Sequence, residues 1–237
     1  MSTNARTPLI RRGFVELVTV VGGILIAFAL DAWWDRQVSR RWELDQLRSL
    51  REEFTENLDG LDPVVESHWS AARRLEAILA FAASSAPGTR TSFPDTILGS
   101  LIGWRTSDIS LGTLDALLAS GKLSEIQSAE LRSRLAGWQA RVDDAQEDEA
   151  LARDFVEYVL TPALAGQGIL AGAHAGRTGP ARQLSQPSNT PVTATAVLRD
   201  LVAARLTHVR LSAISMERIQ DEIRQVLALL EQELDGR

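Results

Sequence analysis

The chain has no cysteine among its 237 residues. Disulfides, thiolate metal sites and cysteine nucleophiles are thereby excluded, and the absence suits either side of a bacterial inner membrane. Aromatic residues make up only 5% of the chain, and tryptophan supplies much of that share. Lysine is almost missing, Lys122 standing alone among many arginines. The formal charge of −6 and the lack of a basic stripe interleaved with aromatics argue against nucleic acid as a partner. The three histidines, His68, His174 and His208, never stand three or four residues from one another, and none belongs to a Glu-x-x-His pattern. Zinc-protease and di-iron arrangements are unsupported. The glycines of 166–179 follow no phosphate-loop spacing, and no serine sits in a nucleophile elbow. No catalytic, cofactor-binding or metal-binding residue is assigned, and the expected function is non-enzymatic.

What is present is an apolar run, "LVTVVGGILIAFALDAWWDR", from Leu17 to Arg36. Glu16 is the one charge between Gly13 and Leu30. Extended to Trp34, the segment is about 22 residues, or roughly 33 Å of helix, against a hydrocarbon core of about 30 Å. Trp33 and Trp34 then stand where interfacial anchors belong, with Arg11 and Arg12 flanking the opposite end. Two other readings stay open. "RRGFV" with "AFA" at 27–29 has features of a cleaved export signal, and the run could be a buried core helix. Against cleavage, "DAWWDRQVSRRWELDQLRSLREEF" continues without Gly or Pro. The expectation is therefore an uncleaved single-pass span. A basic tail at 1–13 precedes a transmembrane helix at 14–34, and an extramembrane body occupies 35–237. The short basic tail favours an inside N-terminus and a periplasmic body.

Within the span, Glu16, Thr19, Gly23, Ala27 and Asp31 fall on one side of a helix, and Val18, Val21, Leu25, Phe28 and Ala29 on the other. A small and polar stripe against a bulky one is how helices pack closely in lipid, so self-association is expected. A second reading makes Glu16 and Asp31 carboxylates of an ion- or proton-coupled component. Both lie within about a turn of a span boundary, where reaching headgroup water is enough to explain them.

Beyond the span the chain reads as all-α. Leu44, Leu47, Leu50, Phe54, Leu58 and Leu61 extend the first helix to about 45 residues, roughly 68 Å. Gly60, Asp62 and Pro63 predict its end and the start of a second helix running to Ala83. Short helices are expected near 95–104 and 110–120, the latter stopped by Gly121. "SEIQ", Ser124–Gln127, predicts a capping box that opens one long helix to Leu160. Its apolar rows are Leu131, Trp138, Ala145, Ala152, Val159 and Leu135, Val142, Glu149, Val156. Glu149 is either an edge position or a buried polar contact fixing register. "DDAQEDE" at 143–149 reads as a solvated face rather than a cation site. A flexible Gly/Pro-rich loop is expected at 162–193. A last helix, from Thr195 to about Leu234, carries five heptads with Gln220 as a polar intruder. No segment reads as a strand. The expected architecture is an elongated antiparallel helical bundle.

"VELVTVVGGILIAFALDAWWDRQ" followed by "LRSLREEFTENL", and later "GTLDALLASGKLSEIQSAELRSRL" at Gly112–Leu135, resemble a family of uncharacterised bacterial single-span membrane proteins. Glu16, the block Gly23–Ala27, Asp31 and Trp34 match the order of its first motif, although the Trp33–Trp34 pair departs from the commoner Trp-Asn. The resemblance covers about a third of the chain and implies an uncleaved span with no catalytic residues. Membrane lipid, a second copy of the chain and a protein partner are the expected contacts.

Overall fold

The computed structural model describes the backbone of residues 7–177 and 188–236, with side chains from Val21 onward. It is mostly helical. Among the described residues the α-helices are α1 (Thr7–Ser84), α2 (Asp95–Ile102), α3 (Gly112–Ala119), α4 (Ala129–Ala136), α5 (Trp138–Asp154), α6 (Thr161–Gly166), α7 (Leu170–Gly176) and α8 (Ala196–Asp235). A 3-10 turn (Lys122–Glu125) precedes α4, and a π-helical segment (Phe155–Leu160) continues α5. The chain divides into two compact units, Met1–Ser49 and Leu50–Arg237.

The first helix corrects two expectations at once. α1 does not end at Gly60–Pro63, and Pro63 lies inside it. A mid-helix proline forfeits a backbone hydrogen bond and costs about 3 kcal/mol. Packing on both sides offsets that cost. Leu61, Val64 and Val65 are buried, and Asp62, expected as a helix cap, instead accepts a 2.7 Å hydrogen bond from Gln220 Nε2. Gln220 is thus no stray polar residue in its heptad row, because its partner is built into α1.

Three long elements make the body of the larger unit. Asp62–Gln220, Trp69–Glu217 and Glu76–Arg210 contacts show α8 running antiparallel to α1. Asp148–Ser215 and Arg141–Glu222 contacts show the same for α5 and α8. α1 and α5 therefore run parallel, which departs from a wholly antiparallel bundle. The crossover through α2, α3 and α4 explains it, since it returns the chain to the Phe54 level, where Trp138 packs against Phe54 with tilted rings, centroids 4.8 Å apart. The buried side of α8 includes Leu198, Val202, Val209, Ala213, Met216, Ile223 and Leu230, so the heptad reading holds over most of its length. Thr195 caps it, its side chain accepting from Leu198 N.

The helix expected over 124–160 is segmented. Ser124 and Glu125 belong to the 3-10 turn, and Ser128 is the residue that caps α4. Gly137 separates α4 from α5. The apolar row fails at Val159, which is 47% exposed, while Leu160 is buried. The π segment supplies the reason: its wider turn advances the buried stripe by one residue, so Ala152, Val156, Leu160 and Leu164 form the buried line.

The 162–193 loop is likewise corrected. α6, α7 and strand β2 (Asn189–Thr193) occupy much of it, while 178–187 lies outside the described residues. β2 pairs antiparallel with β1 (Arg90–Pro94), Ser92 opposite Pro191. The strands read RTSFP and NTPVT, each with a proline and too few apolar residues to alternate, so the sequence carries no strand signal there. α7 crosses α2 at backbone contact. A Cβ on Gly176 would stand 1.5 Å from Asp95 O, and one on Gly99 2.3 Å from Gly176 O.

Gly176→Ala is expected to cost about 1–3 kcal/mol or more by forcing these backbones apart. Gly60→Ala, with nothing within 4 Å of the added Cβ, should gain about 0.5–1 kcal/mol of helix stability. Urea midpoints moving in opposite directions would bear this out; equal shifts would remove the close-crossing account.

Candidate functional site

Unusual side-chain chemistry is concentrated in two places, one in each unit. In the smaller unit, Gly23, Ala27 and Asp31 are exposed along α1, as are Trp33 and Trp34. Glu16 and Thr19 lie outside the described side chains. Ile24, Leu25 and Ile26 are consecutive and 50–64% exposed. Because successive helical residues turn by about 100°, the exposed apolar surface goes round the helix and is not confined to one stripe. Among the described residues, no helix is long and apolar enough to cross a membrane. The described side chains begin at Val21, inside the apolar run.

In the larger unit, a cleft of about 110 Å³ opens between α1, α2, α7 and α8. Arg74, Arg105, Arg177 and Arg205 all line it, and no carboxylate is among the described residues of the lining. Arg205 forms the floor at 2% exposure. Its Nε donates to Leu101 O at 3.0 Å and its Nη2 to Gly103 O at 2.5 Å. These carbonyls belong to the C-terminal end of α2, which carries the negative end of the helix dipole. Burial alone pushes the guanidinium down to about 10, so it remains charged at neutral pH. Arg177 stacks its guanidinium over Trp104, 4.9 Å from the ring centroid.

His68 stands beside Arg205 and is 7% exposed. Burial first, and then the Arg205 charge, lower it to about 4. It is therefore neutral at pH 7, with the Arg105 carbonyl as its hydrogen-bond partner. Its Nε2 has no partner, and neither does the buried Ser100 Oγ. Both residues line the cleft. Buried polar atoms of this kind are uncommon in folded proteins and call for an explanation.

Neither Arg205 nor His68 was singled out from the sequence as a site residue. The signal for Arg205 is its place among Val202, Leu206 and Val209 on the buried side of α8; for His68 it is the spacing with Val64 and Ala72 in α1. A charge in an apolar row marks an unusual position, but not what surrounds it. The other three arginines come from separate elements and converge only through the fold.

Glu149 is a half-buried polar contact, between the edge position and the buried contact that its place in the apolar row left open. Its carboxylate accepts from Ser107 N at 3.1 Å and from Ser107 Oγ at 3.3 Å, and it lines a small adjoining cavity with His68 and Arg205. Burial is the largest influence and pushes Glu149 up to about 7. In the acidic run, Asp143 accepts from Gln139 and Asp148 from Ser215. Among the described residues no three His, Cys, Asp or Glu side chains gather where they could hold a metal. His208 packs on Phe155 at 4.9 Å, while His174 is exposed on α7.

No protein-family model matches the chain, and comparison with curated proteins and with solved structures finds no match.

The Glu149 environment sets a pH dependence. Its folded-state value is raised above the ordinary 4.5, so between 4.5 and about 7 the folded chain holds a proton that the unfolded chain has released. That contribution to stability is complete below 4.5 and is lost as pH rises through 7. Glu149→Gln should flatten the fall in stability over this window, measured by urea unfolding at several pH values. An unchanged slope would mean that Glu149 is ionised in the fold.

Proposed function

We propose that the chain is a non-enzymatic, single-pass membrane-anchored helical protein of a bacterial inner membrane. It self-associates through α1 and presents its larger unit, on the periplasmic side, to a protein partner. The observation that carries this reading is the exposed apolar girdle of α1. Val21, Ile24, Leu25, Ile26, Phe28 and Leu30 point in different directions and all remain accessible. An apolar surface of this kind is a contact surface for lipid or protein, and one that encircles a helix fits lipid better than a one-sided docking face. The sequence supplies the remaining length, since the apolar segment begins before the first described side chain.

Self-association rests on the row Thr19, Gly23, Ala27 and Asp31. Small residues every fourth position let two backbones approach, and that approach is the main source of helix attraction where lipid removes the hydrophobic term. Trp33 and Trp34, with Arg36 beyond them, suit the interfacial boundary.

The absence of native cysteine makes the test clean. Membranes carrying single Thr19→Cys, Gly23→Cys or Ala27→Cys variants should yield crosslinked dimers on oxidation, whereas Val21→Cys and Leu25→Cys should yield few. The protein should stay in the pellet after a carbonate wash. Release by carbonate would end the anchor reading, and equal crosslinking at all five positions would end the stripe as the contact.

A further inference from the structure

Acids outnumber bases in this chain, 31 Asp and Glu against 25 Lys and Arg, and most arginines of the larger unit lie within reach of one. Arg73 meets Glu66, Arg134 and Arg141 meet Glu222, and Arg210 meets Glu76. The cleft breaks this pattern. The ion pairs among the described residues include none of Arg74, Arg105, Arg177 and Arg205. Glu149, in the adjoining cavity, is turned to the Ser107 backbone and hydroxyl. Burial alone lowers Arg205, and no carboxylate draws it back up. Residues 178–187 lie outside the described residues; their sequence, TGPARQLSQP, contains one arginine and no acid. The stretch that follows Arg177 therefore brings no counter-charge of its own. Four positive charges line about 110 Å³ without a negative one among the described residues of the lining, and like charges around a partly desolvated space repel.

Two of the four are fixed in place. Arg205 is held to the Leu101 and Gly103 carbonyls at the floor, and carbonyl dipoles offset only part of a full charge. The Arg177 guanidinium lies over Trp104, which itself lines the cleft. Arg74 and Arg105 are exposed at the rim and come from α1 and from the segment after α2. Guanidinium forks of this kind pair with the oxygens of anions. An ion seated among the three rim groups need not touch Arg205, whose buried charge is poorly screened and acts on it from below. The volume is well under the roughly 300 Å³ at which pockets for drug-sized ligands begin, so the occupant is small. In one field a doubly charged ion gains twice the Coulomb energy of a singly charged one, and a cleft this small leaves little room to reach the same charge with two ions. We propose that the cleft binds one small dianionic oxyanion, of the sulfate and phosphate class, held by Arg74, Arg105 and Arg177 above the charge of Arg205. The site lies wholly in the larger unit, so it stands or falls apart from the membrane anchor.

The test is isothermal titration of the full chain in an uncharged detergent, at constant ionic strength and about pH 8, where phosphate and its monoesters are doubly charged. Sodium sulfate and sodium phosphate should each bind saturably at one site. Sodium acetate, which carries a single charge, should bind at least about tenfold more weakly. Arg74→Ala/Arg105→Ala, confined to exposed side chains, should weaken sulfate binding at least about tenfold with the helical circular dichroism unchanged. Arg199→Ala/Arg224→Ala, which removes two exposed arginines away from the cleft, should leave it as it is. No binding of either dianion at millimolar concentration overturns the proposal. So does undiminished binding by the rim variant, or an equal loss in the distant one, which is the mark of diffuse counterions. Acetate binding as tightly as sulfate also overturns it, and would assign the cleft to a carboxylate side chain of a protein partner. Glycerol phosphate separates the sources of the dianion: binding at least as tight as that of phosphate bears out the site with a monoester as its ligand, and weaker binding bears it out with the free ion. The comparison of sulfate with acetate uses the unaltered chain and decides the matter even if the rim variant does not fold.

Discussion

A short helix has unsatisfied backbone groups at both ends, and few of its residues lie away from those ends. The crossover between α1 and α5 is built from such helices, and the larger unit depends on how their ends are met. Glu53 reaches from α1 to the start of α3, accepting from Thr113 N and Leu114 N at 3.0 and 3.1 Å. Asn57, one turn further along, exchanges two 2.8 Å hydrogen bonds with the Ser110 backbone. Arg205 does the reverse from α8, meeting carbonyls at the end of α2. The signs are those the helix dipole favours: an anion at an N-terminus and a cation at a C-terminus. Buried charges on the long helices thus act as caps for the short ones, and the caps fix where the crossover lies.

The same arrangement determines how closely the layers approach. With the end of α2 held to α8, its Gly99 face is left to α7, and only residues without a Cβ fit there. Gly172 and Gly176, one turn apart on α7, face Thr190 and Asp95. Asp95, itself buried, accepts hydroxyl hydrogen bonds from Ser188 and Thr190 and ties the short sheet to the helix pair. The cleft is what remains at the edge of this crossing, between the Gly99–Gly103 backbone and the side chains of α1 and α8. Its arginines converge because the caps and the glycine contact bring their elements together.

How far this could be read in advance differs by element. α8 was legible because forty residues of heptad pattern repeat one signal many times, and Thr195 adds a local start signal. The left-handed stop at Gly121 was legible too, at φ 70°. The α1 break at Pro63 was misread because a local rule was outweighed by burial on either side and by the Asp62–Gln220 pair, which lies 158 residues away in sequence. The parallel course of α1 and α5 was hidden for the same reason, since helical periodicity carries no direction. Of the site, only the exposed apolar run could be read from contiguous residues. The cleft joins residues from 67 to 205, and no spacing rule connects them.

Arg205 shows why capping alone does not account for the cleft. A lysine or an asparagine could meet α2 carbonyls from α8 with less charge or fewer donors to bury. Retaining a full guanidinium at 2% exposure raises the potential of the space above it, and its presence helps to keep His68 neutral. A protonated histidine next to this cation would have added a further charge to those already present. Glu149 does not relieve this, because its carboxylate is turned to the Ser107 backbone and hydroxyl and burial favours its neutral form. The interior therefore holds a buried guanidinium, met in part by α2 carbonyls, against a histidine kept neutral, and neither could change its charge without disturbing the end of α2.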